Sequence, residues 1–386
     1  MKYSVYLIIF LGILSAFGPF ITDMYLPILP SMAEIFHTVP VKVQLGLTTS
    51  LLGLAAGQIF LGPLSDKYGR KYVVLGSLVI FSVSTIACIF STSIDIFNIC
   101  RFFQGLGGAG GIVMSRSIAT DYYTGKELAG TLAIIGAING IMPVIAPVVG
   151  GLVAQSIGWQ GIFGVLFSVG IVLLLMTIPL KESFDINQRH NGKILSLFNA
   201  YTALFKNRKF IYCVLIFAFS YGVLFSYISS SSFIVEDHFM FSEFAFSLTF
   251  GINAIAMAAG SAFVLKLNNI SKGVLFGNIC IVVIAILQIV FYFSFDNFYA
   301  YESLTFVLAF LLGVIFTAAS AMAMDAGRSH TGTASAILGT CGYLFGSAMS
   351  PLTGLGNIII SSTLIIFFCS VFASLFAYLI FCNKNP

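Results

Sequence analysis

Long apolar stretches, separated by short charged or turn-forming breaks, recur along the whole chain. They fall at 4–29, 42–61, 73–91, 96–118, 129–153, 160–180, 210–232, 244–265, 273–294, 302–322, 332–356 and 358–382. Each is close to the roughly 20 residues that an α-helix needs to cross the hydrocarbon core of a bilayer. The pattern therefore predicts an all-α polytopic membrane protein with twelve transmembrane helices, which we call spans one to twelve.

The longest polar stretch divides the twelve predicted spans into two sets of six. It runs from Lys181 to Lys209 and is rich in basic residues. We interpret residues 1–180 as an N-terminal six-helix bundle, 181–209 as a cytoplasmic linker loop and 210–386 as a C-terminal six-helix bundle. This layout is typical of a protein built from two repeated bundles.

Composition excludes an ordinary soluble protein. Of the 386 residues, 59% are hydrophobic and 8% are charged, whereas soluble domains carry about 25% charged residues. Twelve spans with their turns use nearly the whole length, so a soluble catalytic domain has no room. The seven cysteines are scattered without metal or CxxC spacing. All but Cys382 fall inside apolar runs, and we interpret them as small buried apolar residues rather than disulfides.

Basic residues predict the orientation of the chain. With a cytoplasmic N-terminus, sixteen of the 18 Lys and Arg residues fall on the cytoplasmic side, the exceptions being Lys42 and Arg101. Loops on the cytoplasmic side of a membrane carry an excess of Lys and Arg. We therefore expect both termini in the cytoplasm.

Two opposite charges lie inside predicted spans. Asp23 falls in span one and Arg101 in span four, both in the half of the membrane away from the cytoplasm. Intramembrane charges are costly, and they usually pair with one another and have functional roles. We predict that Asp23 carries a proton and that the neighbouring Arg101 favours its charged form. The alternative is a static structural ion pair.

Motifs for enzymes and channels are absent from the sequence. There is no phosphate-binding GxxxxGK[ST] loop, and the four histidines all lie in predicted loops, away from any HExxH or Ser–His pair. A TVGYG selectivity filter is also missing. We expect no catalytic activity, no metal, no cofactor and no nucleic-acid partner.

The connection between spans two and three carries a distinctive motif. It reads Gly62-Pro63-Leu64-Ser65-Asp66-Lys67-Tyr68-Gly69-Arg70-Lys71. Gly62 and Gly69 permit a tight turn, and Asp66 can cap a neighbouring helix N-terminus, with the start of span eleven as the expected partner. The spacing resembles the loop motif of the major facilitator superfamily, which implies that Asp66 and Arg70 help to lock one conformational state.

Two further motifs resemble that superfamily. Arg101-Phe102-Phe103-Gln104-Gly105 is similar to its R-x-x-Q-G motif in span four, and Arg116 and Asp121 fit the end of that helix. Span five resembles the antiporter motif, which implies a hinge or a seal. The residues of that motif are Gly140, Pro143, Pro147, Gly150 and Gly151.

Span one narrows the resemblance to one branch. Asp23-Met24-Tyr25-Leu26-Pro27, with Pro30, resembles the D-x-Y-L-P-x-x-P motif in the first span of the Bcr/CflA-type drug:proton antiporters. The segment that contains Tyr227 resembles the seventh span of the same group. Some related exporters carry an acidic residue two turns before this aspartate. Here Ser15-Ala16-Phe17 occupies that region, which argues against strongly cationic substrates.

The resemblance implies a major-facilitator fold and alternating access. We expect a monomer in the bacterial inner membrane that exports small amphipathic compounds, such as antibiotics, with the proton gradient as its energy source. Two alternatives stay open: a metabolite or siderophore exporter of the same branch, and a non-transporting membrane receptor. The sequence does not identify the substrate. The candidate cavity residues, which can also simply bridge helices, are Tyr25, Gln104, Asn139, Tyr227 and Asn253.

Overall fold

A computed structural model describes residues 5–123, 125–184, 199–294, 297–327 and 331–382. Within these ranges the regular structure is entirely helical. Nine of the described helical segments are long and apolar enough to cross a membrane. Three more long helices cover predicted spans four, five and eleven, so the all-α polytopic prediction is confirmed.

The described residues of the first half of the chain form eight α-helices. They are α1 (Val5–Ser15), α2 (Phe17–Asp23), α3 (Leu29–Ile35), α4 (Pro40–Tyr68), α5 (Arg70–Ile89), α6 (Ile94–Tyr122), α7 (Gly125–Ile157) and α8 (Trp159–Thr177). A short 3₁₀ turn, Leu26–Ile28, connects α2 to α3. Predicted span one is therefore two short helices and a 3₁₀ turn rather than one continuous helix, and α3 continues the chain beyond its predicted end.

In the second half of the chain, the part that the structure describes forms seven α-helices. They are α9 (Asn199–Phe205), α10 (Arg208–Ser232), α11 (Glu243–Phe263), α12 (Ile270–Ser294), α13 (Phe298–Ala326), α14 (Thr331–Met349) and α15 (Ile358–Cys382). A π-helical turn, Phe233–His238, extends α10, and 3₁₀ turns follow α11 and α14. Helix α13 begins four residues before the predicted span ten, because Asn297 caps its N-terminus by accepting hydrogen bonds from Tyr299 and Ala300.

The chain divides into two compact units. The first unit contains Met1–Ile28 and Thr49–Phe198, and the second contains Leu29–Thr48 and Asn199–Pro386. These bounds differ from the predicted ones in two respects: the segment Leu29–Thr48 groups with the second half of the chain, and the predicted linker 181–209 is divided between the units at Phe198. Predicted span one, residues 4–29, therefore lies almost wholly in the first unit, and the second unit begins where α3 begins, at Leu29.

Close packing of small residues positions α4 against α6 in the first unit. A Cβ atom on Gly105 of α6 would lie 2.0 Å from the carbonyl oxygen of Ser50, and one on Gly53 of α4 would lie 2.0 Å from that of Phe102. Two helices that approach this closely leave room only for hydrogen at the contact. The packing holds Arg101, on the turn before Gly105, beside Ser50.

Candidate functional site

Asp23 lies at a break in the helix of span one. It is the last residue of α2, and the chain then passes through Met24 and Tyr25 into the turn that contains Pro27. The carboxylate is 5% exposed, and its Oδ1 accepts a hydrogen bond of 2.6 Å from the hydroxyl of Thr22. A discontinuous helix inside a membrane protein is a common setting for a substrate or ion site.

Arg101 is completely buried in the first unit and is held by oxygen atoms of three elements. Its Nη2 donates to the carbonyl oxygen of Ile21 at 2.6 Å and to the hydroxyl of Ser50 at 3.3 Å, and its Nη1 donates to Oε1 of Gln104. Gln104 in turn donates to the hydroxyl of Thr85 at 2.8 Å. Gln104, predicted as a cavity residue, thus serves to orient Arg101.

An aromatic cluster covers the guanidinium of Arg101. Its Cζ lies 4.4 Å from the ring centroid of Tyr25 and 5.7 Å from that of Phe163. Phe97 and Trp159 complete the cluster through edge-on ring contacts. A desolvated cation over aromatic faces is stabilised by the ring quadrupoles, so Tyr25 also belongs to the support of Arg101.

The expected direct ion pair between Asp23 and Arg101 is absent from the structure. Both residues are described, and no guanidinium nitrogen lies within salt-bridge distance of the carboxylate. Arg101 instead binds the carbonyl of Ile21, two residues before Asp23. The cation therefore holds the backbone that carries the carboxylate rather than the carboxylate itself.

The glycine motif of span five contacts the break in span one. Pro143 and Pro147 lie inside α7, which continues through both. Gly150 is buried, and a Cβ atom there would lie 1.9 Å from the carbonyl oxygen of Met24, directly after Asp23. Gly151 follows it in the buried face. The side chain of Asn139 and the surroundings of Gly140, both also predicted as functional, lie outside what the structure describes.

The loop motif forms a polar cluster at the junction of α4 and α5. Gly69, with a φ of +101°, is the single residue between the two helices. Arg70 binds Oδ1 of Asp66 at 2.5 Å and Oδ2 of Asp121, at the end of α6, at 3.2 Å. Its guanidinium also lies 4.5 Å from the ring of Phe184.

One expectation for the loop motif was wrong in detail. Gly62 lies inside α4 rather than in the turn, and its carbonyl accepts a hydrogen bond from Ser65. A further carboxylate, Glu182, caps the start of α5 by accepting from the backbone nitrogen atoms of Arg70 and Lys71 at 2.9 and 3.3 Å. The contact of Asp66 with the start of span eleven stays a prediction. Arg116 is exposed on α6, one turn before Asp121.

A second polar group lies within the second unit. The amide nitrogen of Asn253 on α11 donates to the hydroxyl of Tyr227 on α10 at 3.0 Å and to Oε1 of Glu302 on α13 at 2.7 Å. The predicted cavity residues Tyr227 and Asn253 are therefore in contact. Glu302 was missed because the apolar run was taken to begin there; the helix-capping signal of Asn297 in the sequence places it inside the helix.

The four serines at the end of α10, residues 229–232, mainly form hydrogen bonds with helix backbone. Ser230 and Ser231 donate to carbonyl oxygens in the preceding turn. Ser229 contacts the hydroxyl of Thr353, and Gln44 donates to that hydroxyl at 3.0 Å and to the carbonyl of Ser229 at 3.1 Å. Among the described residues, no group of His, Cys, Asp and Glu is arranged to hold a metal ion.

Comparison with known proteins defines the class. Residues 8–351 match the Major Facilitator Superfamily. The chain is 33% identical over 353 residues to the uncharacterized MFS-type transporter YdgK of Bacillus subtilis, covering 90% of this chain and 88% of that one. It is 27% identical over 361 residues to a bicyclomycin resistance protein homolog of Haemophilus influenzae, covering 89% and 88%.

The fold agrees with that assignment. The crystal structure of a D-xylose–proton symporter superimposes with a TM-score of 0.77, covering 98% of both chains at 14% identity. This protein belongs to the Major Facilitator Superfamily, a family of membrane transporters rather than of enzymes, and it is a multi-pass membrane protein.

Proposed function

We propose that this protein exports small amphipathic compounds from the bacterial cytoplasm in exchange for protons. The relative named for resistance to bicyclomycin supports this proposal. The proposed setting is the inner membrane, with both termini cytoplasmic as the basic residues predict, and the proposed working unit is a monomer.

The observation that most supports proton coupling is the environment of the Asp23 carboxylate. Its carboxylate is buried at a helix break, at the negative end of the α2 dipole, with one hydroxyl donor and no cation in salt-bridge contact among the described residues. A buried charge without a partner is unfavourable, so binding of a proton relieves the site. Loading and release of that proton is the proposed energy-coupling step.

Contacts on both sides of Asp23 can transmit a change in its protonation to the break in span one. Arg101 fixes the carbonyl of Ile21 before Asp23, and Gly150 contacts the carbonyl of Met24 after it. A change in the charge of Asp23 therefore acts on a segment held from both sides. We infer that this segment transmits protonation to alternating access.

Accumulation of labelled compounds in everted vesicles tests the proposal. A panel of antibiotics, siderophores and small metabolites is compared with and without an imposed pH gradient. Gradient-dependent accumulation of an antibiotic supports drug export, and accumulation of only a siderophore or a metabolite supports the alternative exporter. If no compound accumulates under either condition, export is contradicted.

A further inference from the structure

In the second unit, a set of polar groups formed by Asn253, Tyr227 and Glu302 contains a buried oxygen atom that lacks a donor. Both N–H groups of the Asn253 amide are used, one by Tyr227 and one by Glu302. Asn253 is only 2% exposed, and its oxygen Oδ1 is buried without a hydrogen-bond partner. A buried, unsatisfied acceptor is costly, so a missing donor is indicated at this point.

The same set contains a carboxyl group without a counter-ion among the described residues. Glu302 is partly buried, and the donor that reaches its carboxyl group is the neutral amide of Asn253. No Lys, Arg or His of the described chain forms a salt bridge with it. Carboxylates within membrane proteins usually have a cationic partner or a functional ligand.

A small polar cavity shares Tyr227 with this set. It is lined in part by Tyr227, Tyr301, Thr305 and Gln288, and it has room for about one water-sized group. Gln288 donates to the hydroxyl of Thr305 at 3.2 Å, while its own Oε1 is buried without a partner. An ammonium head group is close to water in size and brings several N–H donors.

Aromatic rings border the site on α10 and α11. The ring of Tyr227 stacks on that of Phe250, with centroids 5.6 Å apart and an interplanar angle of 8°. The ring centroid of Phe246 lies 5.7 Å from that of Phe250. Aromatic faces attract organic cations and provide apolar contacts for the hydrocarbon part of an amphipathic amine.

We propose that Glu302, Asn253 and Tyr227 form a subsite for the ammonium group of amphipathic amines. The carboxylate supplies the counter-charge, and the free oxygen of Asn253 accepts an N–H. A proton alone would neutralise Glu302 but would leave the Asn253 oxygen without a donor. The inference rests on the proposed export function and reverses the sequence-based expectation against cationic substrates.

Binding to the purified full-length protein tests the subsite independently of export. The probes are tritiated 4-phenylbutylamine and its neutral analogue 4-phenylbutanol, measured by scintillation proximity. Glu302→Gln should weaken binding of the amine at least tenfold and change that of the alcohol less than twofold. Glu302→Asp, which keeps the charge, should retain part of the amine affinity.

Glu243→Gln is the matched control. Glu243 lies at the start of α11, in the same unit, and its carboxylate accepts from Ser31 rather than from Asn253, so amine binding should be unchanged.

Absence of amine binding by the wild type, or equal affinity of Glu302→Gln, overturns the subsite. Loss of gradient-driven export of a neutral compound in Glu302→Gln also overturns it, because Glu302 is then a proton carrier. Failure of the wild type to export anything contradicts the proposed function, while amine binding still decides the subsite.

Discussion

Arg101 donates a hydrogen bond of 2.6 Å to the backbone carbonyl of Ile21. The carbonyl belongs to the last turn of α2, whose final residue is Asp23. A cation at the C-terminus of a helix is favourable because it offsets the negative end of the helix dipole. The relationship makes Arg101 a positioning residue for the break in span one.

Replacement of Arg101 by lysine should expose this role. Lysine keeps the charge but cannot reach Ile21, Ser50 and Gln104 together, since it lacks the planar fork of arginine. We expect a loss of about 1.5–3 kcal/mol of stability, the usual worth of a hydrogen bond to a charged group, together with slower export. Thermal unfolding in detergent and vesicle transport measure the two effects. Wild-type stability in Arg101→Lys would show that charge alone is sufficient.

Gly150 should tolerate no side chain. Its Cβ position lies 1.9 Å from the carbonyl oxygen of Met24, so Gly150→Ala must push α7 away from the helix break. We expect destabilisation of about 1–3 kcal/mol, the range for overpacking, and impaired export. Gly76→Ala is the matched control, because a Cβ atom there meets nothing within 4 Å. Equal melting temperatures for the two variants would contradict the proposed contact.

The ion pairs of the first unit should differ in strength according to burial. Asp121 is 12% exposed and Asp66 is 40% exposed, although both bind Arg70. We expect Asp121→Asn to cost more stability than Asp66→Asn, for which the loss should be at most about 1 kcal/mol. Asp325→Asn, which removes a half-exposed pair with Lys209, is the control. A larger loss for Asp66→Asn than for Asp121→Asn would contradict this ranking.

The orientation of the chain is tested by reporter fusions. An alkaline phosphatase active only in the periplasm should be silent when fused after Lys209 and active when fused after Asp237. The reason is the concentration of basic residues on the predicted cytoplasmic side. Activity after Lys209 would reverse the topology.

Most of the spanning helices could be predicted from the sequence because the bilayer constrains the backbone. Each spanning segment must satisfy its backbone hydrogen bonds within a helix, so apolar runs of sufficient length predict helices. The break after Asp23 was not predicted. Pro27 and Pro30 were recognised as part of a family motif rather than as residues that interrupt a helix.

The site was predicted only in part. Asp23 and Arg101 were identified because charges in apolar runs are rare, but their partners depend on the directions of the side chains. The sequence contains no signal that Arg101 binds the carbonyl of Ile21 rather than the carboxylate. Glu182 was overlooked as a helix cap because it lies in the polar linker, far in sequence from Arg70.

Proton coupling through Asp23 is the central claim, and Asp23→Asn tests it most directly. Asparagine keeps the size of the side chain but cannot exchange a proton at neutral pH. In proteoliposomes, the variant should lose transport driven by a pH gradient yet retain exchange of labelled for unlabelled substrate, which needs no net proton movement. Unchanged gradient-driven transport in Asp23→Asn would contradict the account.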